Sequence, residues 1–373
     1  SEEEIQKSFS KPVKMRVFSW NEKGYIDTLM TPDDSIRYYK SHLRAAFMAI
    51  EPHSGHVKAY VGGPNYRYFK YDNVRQGKRQ VGSTIKPFLY SLAMQEGMTP
   101  CDKVVNVPQT FEVGDDTWTP KSTDKEEWIG QTVTLKWGLT KSSNNISAYL
   151  MKQYGPRAMV NMMRKMGIRS FIDETYSLCV GAADITVYDM VAAYNTFPSR
   201  GVYISPIFVT HIEDDLGNVI GEFHTTKKEA IGEQQAYLMA NLMQGVVNSG
   251  TGVRLRLKYG LKGEIAGKTG TTNNHSDGWF IGYTPTLTAG VWVGGEDPQI
   301  HFESLSLGGG SNMALPIWGL FMQKVVKDGT LGVTEDDRFI PTGVKLNLDC
   351  SGDDGDIGAA AEAILEEEES FFD

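Results

Sequence analysis

Ser83 and Lys86 stand three residues apart in the stretch RQVGSTIKPFLYSLAMQEG, residues 79–97. Positions i and i+3 of a helix lie on one face about a turn apart, so a hydroxyl and an amine would face the same space. A serine hydroxyl is a weak nucleophile until a base takes its proton. A lysine serves as that base only when burial or a nearby cation lowers its pKa. A serine at a helix start also sets its backbone N–H where the helix dipole is positive, which suits an oxyanion. Taken alone the pair is ordinary: a capping serine followed by a solvated lysine reads the same way. Ser8–Lys11 and Ser122–Lys125 repeat the spacing.

Two further groups give the pair company. In KSSNNISAYL, Ser142, Ser143 and Asn144 fall at a break between two helical runs, where a turn can aim a hydroxyl and an amide at one point. Ser19-Trp20-Asn21 and Ser143-Asn144-Asn145 have the same form, and capping or Asx-turn chemistry explains such triplets equally well. In AGKTGTT, the sole KTG of the chain, Lys268, Thr269, Gly270 and Thr271 lie on an expected strand. Gly270 leaves room for an extended peptide along that strand. Thr269 and Thr271 alternate onto one face and can hydrogen-bond a carboxylate, and Lys268 adds positive charge. The competing reading is a solvated hairpin with a bulge.

The elements that must hold these groups can be read in outline. AAFMAIEPHSGHVKAYVGG, residues 45–63, gives two strand-like runs around a turn. The helix after Ser83 stops at Gly97, with Pro100 beyond. Residues 101–130 are turn-rich, 156–200 helical in character, and EQQAYLMANLMQGVVNSGTG is an amphipathic helix with a glycine stop. GEIAGKTGTT, GWFIGYT and LTAGVWVGG then read as three strands. Strands at both ends with helices between them predict an α+β fold, an antiparallel sheet covered by helices.

Composition narrows the function classes. The formal net charge of the 373 residues is −9, and the stretch SGDDGDIGAAAEAILEEEESFFD from 351 holds nine acids and no Lys or Arg. The remaining body is near neutral, which argues against nucleic-acid binding. The tail reads as a solvated, disordered extension. Cys101, Cys179 and Cys350 form no CxxC pair, and so low a count fits an exported protein that does without disulfides or a cytosolic one. No apolar run reaches the length of a membrane span. His53 and His56 flank a turn with no third ligand in view, so no metal site is expected. His275, Trp118 and Tyr66 read as loop residues with local partners. The glycines near 308 read as a turn into a helix rather than a phosphate loop.

SxxK, SxN and KTG in that order are a set already known from penicillin-binding proteins and related β-lactamases. The likeness goes beyond the triplets. RQVGSTIKP, KSSNNISAYL, GVVNSGTG, IAGKTGTTNNHSDGWFIGYTP and MAIEPHSGHVKAYVGG together resemble the transpeptidase domain of class A penicillin-binding proteins over about residues 45–325.

That resemblance implies a five-stranded antiparallel sheet with helices on both faces. It makes 45–330 the transpeptidase domain, 1–44 a lead-in from an upstream glycosyltransferase domain, and 331–373 a C-terminal extension. It also implies roles. Ser83 attacks the penultimate D-alanine carbonyl of a D-Ala-D-Ala stem peptide, with Lys86 as acylation base. Ser142 relays a proton to the departing D-alanine, and Asn144 orients Lys86 and the substrate amide. Lys268 holds Ser142 and keeps the field positive. Thr269 and Thr271 bind the terminal carboxylate around Gly270, and the N–H groups of Ser83 and Thr271 form the oxyanion hole. β-Lactams would acylate Ser83. No cofactor or metal is expected. A membrane anchor and cell-wall synthesis partners belong to such a protein, at the outer face of a bacterial cytoplasmic membrane. Three other readings stand beside it: a D,D-carboxypeptidase, a serine β-lactamase (whose E-x-x-L-N stretch is not found here), and a non-catalytic β-lactam sensor.

Overall fold

The computed structural model describes residues 1–350 except 273, 344, 345, 347 and 349. The acidic tail expected from about residue 351 lies outside the described residues.

Residues 1–44 carry regular elements of their own: α1 (Glu2–Phe9), a hairpin of β1 (Val13–Phe18) and β2 (Tyr25–Met30), and α2 (Pro32–Ser41). Thr31 caps α2 by accepting a hydrogen bond from the Asp34 N–H at 3.0 Å, with Pro32 at the first helical position. Buried Phe18 meets Phe69 edge to face at 5.0 Å and docks this module on the rest of the chain.

β3 (Arg44–Ile50) and β4 (Val57–Val61) form the hairpin around the PHSG turn. β5 (Lys78–Gln80) leads into a 3₁₀ turn, Gly82–Ile85, and then α3 (Lys86–Gln95). Next come α4 (Leu135–Thr140), α5 (Asn144–Tyr154), α6 (Pro156–Lys165), α7 (Val187–Tyr194) and α8 (Glu233–Ser249). The strands β6 (Ala266–Thr271), β7 (Asp277–Tyr283) and β8 (Thr288–Gly294) follow, then α9 (Gly310–Met313) and α10 (Leu315–Lys327).

β6-β7-β8-β3-β4 form one five-stranded antiparallel sheet with β6 at an edge. The register of β6 on β7 is unbroken, so the KTG strand carries no bulge. Both faces of β7 are buried, and its side chains alternate between two cores. Trp279, Ile281 and Tyr283 join α3, α7 and α8 on one face. Phe280 joins Met313, Trp318 and Met322 of α9 and α10 on the other. Lys268 pairs with Ile281 and therefore faces the core that holds α3.

The cysteine expectation needs correcting. Cys101 and Cys350 form a disulfide across 249 residues, and Cys179 is free and buried. The pair was invisible because its members meet only in the folded chain. Ahead of Cys350, Phe339 is buried against Tyr283, and Leu346 and Leu348 pack on the main core.

Candidate active site

Ser83 sits on the 3₁₀ turn rather than at an α-helical start. Pro87 has no N–H, so the α-type bond from residue 87 back to Ser83 cannot form. The Lys86 N–H bonds the Ser83 carbonyl instead, closing a three-residue turn. In such a turn positions i and i+3 nearly eclipse, which stacks Ser83 and Lys86 more directly than an α-helix would.

The turn is pressed against β6. Gly82 has φ +51°, and a Cβ there would fall 2.5 Å from the Thr271 carbonyl oxygen. A Cβ on Gly270 would fall 2.6 Å from the Val81 carbonyl oxygen and 2.8 Å from Thr84. The missing side chain of Gly270 is thus occupied by the nucleophile's own turn. The sequence reading had given that space to a peptide. Backbone-to-backbone contact sets Ser83 beside Thr271 at the sheet edge.

Lys86 is fully buried. Its amine donates to Asn144 Oδ1 at 2.7 Å and to the Ser142 carbonyl at 2.5 Å, and lies 3.5 Å from Ser142 Oγ. Burial lowers its pKa to about 7. Lys268 is also fully buried. Its amine donates to Ser142 Oγ at 2.8 Å and to the Thr269 carbonyl at 3.1 Å. Burial, and then the neighbouring Lys86 charge, push its pKa well below the usual lysine range. Both amines therefore share one hydroxyl, and burial weakens the charged form of each. Ser83 itself is half-buried.

Ser142 holds this position at a backbone cost. Its φ is +60°, in the left-handed region that favours glycine. Ser143 caps α5, its Oγ accepting from the Ile146 N–H at 3.3 Å. Asn144 is therefore the first residue of a helix instead of part of a break, and its amide donates to the Lys121 carbonyl at 2.8 Å. That bond fixes the amide so that Oδ1 faces Lys86.

Thr269 and Thr271 share the face of β6 opposite Lys268 and Gly270. Thr269 Oγ1 pairs with Thr251 Oγ1 at 2.6 Å, and Thr271 Oγ1 accepts from the Gly310 N–H at 2.9 Å. Thr251 and Gly310 were not singled out in the sequence. Thr251 lies in GVVNSGTG and Gly310 in the glycine run, and neither segment shows its partner by spacing. Asp124 was missed as well. Its carboxylate accepts from Ser143 Oγ at 2.6 Å and from Asn145 Nδ2 at 3.3 Å, under the start of α5. Cys179 lies in the same buried environment, and burial pushes its thiol up to about 12, so it stays protonated. Trp118 packs on Phe111, and Tyr66 is exposed.

The arrangement brings the turn that bears Ser83, and a second hydroxyl between two buried amines, to one edge of the sheet. Comparison with known proteins gives the same bearing. Residues 45–299 match the penicillin binding protein transpeptidase domain, and residues 1–43 match the penicillin-binding protein middle domain. The chain is similar to penicillin-binding protein 1A of Aquifex aeolicus, 30% identical over 309 residues, covering 82% of this chain and 41% of that protein. It therefore spans less than half the length of that relative. Among solved structures it resembles penicillin-binding protein 1A from Haemophilus influenzae, with TM-score 0.72 at 21% identity over 86% of this chain and 51% of that one. It also resembles the penicillin-binding protein PonA1 from Mycobacterium tuberculosis, with TM-score 0.67 at 26% identity over 82% of this chain and 81% of that one. With its sheet, its three motifs and more than two hundred matched residues in agreement, the chain belongs to the penicillin-binding protein transpeptidase family.

Proposed function

We propose that this domain is a serine D,D-transpeptidase acting on peptidoglycan stem peptides that end in D-Ala-D-Ala. One observation carries the reading: two buried amines converge on Ser142 Oγ, with Lys86 held by Asn144 Oδ1, beside the turn that bears Ser83. Ser83 Oγ attacks the penultimate D-alanine carbonyl, and Lys86, neutral above about pH 7, takes its proton. The backbone N–H groups of Ser83 and Thr271 stabilise the oxyanion. The C–N bond to the terminal D-alanine breaks, and the proton passes from Lys86 through Ser142 Oγ to the leaving amine. An amine of a second stem peptide then attacks the ester, returns Ser83 and forms the cross-link. Thr269 and Thr271 hold the substrate carboxylate before it leaves.

β-Lactams acylate Ser83 by the same route, and release is slow without a residue to activate water. The domain acts within a larger envelope protein, membrane-anchored and joined to a glycosyltransferase domain, at the outer face of the cytoplasmic membrane. The Cys101–Cys350 disulfide supports an oxidising compartment. Among the described residues no helix is long and apolar enough to cross a membrane.

The test is an N-acylated D-Ala-D-Ala donor supplied with a D-amino acid acceptor. Free D-alanine and an acceptor-containing product are expected from this protein and neither from Ser83→Ala. Hydrolysed donor with no acceptor product would move the assignment to a D,D-carboxypeptidase.

A further inference from the structure

A cavity of about 490 Å³ opens where residues 1–44 meet the strand that leads to Ser83. Its wall includes Arg44, Tyr68, Lys70, Lys78, Arg79 and Glu296. The volume falls in the range of small-ligand sites. Two of these residues carry buried polar atoms with no hydrogen-bond partner: Tyr68 Oη and Arg79 Nη2. Unpaired buried polar groups are few in native proteins, and each costs about 1–3 kcal/mol.

Arg79 is 11% exposed and otherwise fully engaged. Its Nε donates to Asp277 Oδ1 at 2.7 Å and its Nη1 to the Glu296 carbonyl at 3.2 Å. Asp277 does not reach Nη2 in this arrangement. Its Oδ1 also accepts from Trp292 Nε1 at 2.9 Å and its Oδ2 from Ser276 Oγ at 2.7 Å. Nη2 is a donor only, so what completes it must bring an acceptor. The charge balance agrees. Asp277 and, at longer range, Asp184 offset Arg79, and Glu296 offsets Arg44 at 2.7 Å, while the exposed Lys70 and Lys78 at the rim form no ion pair among the described residues. Glu296 in the wall disfavours a dianion, whereas a single carboxylate matches the surplus.

We infer that this cavity is a carboxylate-binding subsite for a second peptide strand, with Lys70 and Lys78 at its mouth and Arg79 Nη2 and Tyr68 Oη, both buried within its wall, as the donors that turn to meet the carboxylate. Assigning the strand as the acceptor rests on the transpeptidase reading; the carboxylate site does not. Arg79 precedes Ser83 by four residues on β5, so occupancy bears directly on the turn that carries the nucleophile.

The test follows arginine side-chain Nε–H resonances of the Ser83→Ala protein during titration. The probes are N-acetyl-D-alanine, the neutral N-acetyl-D-alaninamide and inorganic phosphate. Saturable shifts of Arg79 and Arg44 are expected with the first and none with the amide. Tyr68→Phe and Lys78→Gln, each checked for folding by circular dichroism, should each weaken that binding about fivefold, the size of one hydrogen bond. No Arg79 response, or a response untouched by both substitutions, overturns the subsite. An equal response to phosphate overturns its assignment to a peptide carboxylate. Because Ser83→Ala removes the hydroxyl, the outcome is independent of acylation. A penicillin adduct on the unsubstituted protein with a silent Arg79 would sink the subsite alone.

Discussion

Lys86 has no contact with water in the folded chain, and that sets how the site answers to pH. Its pKa of about 7 means that raising pH through 7 removes the proton and frees the base. Penicillin acylation of Ser83 should therefore rise about tenfold per pH unit below 7 and level off above it, measured by stopped-flow at fixed ionic strength. Lys86→Ala should lower the plateau by about 10²–10⁴-fold. Stability moves in the same direction. An unfolded lysine holds its proton up to about pH 10.4, so between 7 and that value the unfolded chain binds more protons and stability rises with pH. At this scale the sequence was informative: three short motifs and the family resemblance singled out Ser83, Lys86, Ser142, Asn144 and Lys268, and the fold brings the last four into one hydrogen-bonded group. Lys268 was expected to supply charge. The fold buries it, and only the register on Ile281 reveals that. Thr251, Gly310 and Asp124 act through partners more than a dozen residues away, so no local pattern marks them.

Among the elements, the contact between the 3₁₀ turn and β6 decides whether the residues meet. The hairpin at β3 and β4, the long helix α8 and the three strands β6 to β8 were legible from periodicity and turn residues. The 3₁₀ turn was misread as α-helix because its cause is a single missing donor at Pro87. Its position depends on Gly82, whose φ of +51° and proximity to Thr271 leave no room for a side chain. Gly82→Ala should cost about 1–3 kcal/mol in urea unfolding. It should also slow penicillin acylation more than tenfold, because the turn must back away from β6. An alanine variant that acylates at the original rate would show that the turn has slack.

Across the whole molecule, the disulfide ties the last described residue to the loop after α3. Joining Cys101 to Cys350 closes a loop that spans most of the chain, which restricts the unfolded state. Cys350→Ser should lower unfolding stability by about 2–4 kcal/mol, and a reductant should do the same to the unsubstituted protein but not to the variant. Sequence spacing gave no hint of this link, since only folding brings Cys350 to Cys101. The overall class, α+β with an antiparallel sheet, was legible because strand-like runs stand at both ends of a helical middle. The docking of residues 1–44, and the cavity it creates above Arg79, was not.

The central claim is that Ser83 is the nucleophile of a buried, amine-activated site. Intact-mass measurement after exposure to benzylpenicillin tests it most directly. A one-to-one adduct is predicted on the unsubstituted protein and none on Ser83→Ala. An adduct of equal yield on Ser83→Ala would contradict the account and move the nucleophile to another serine.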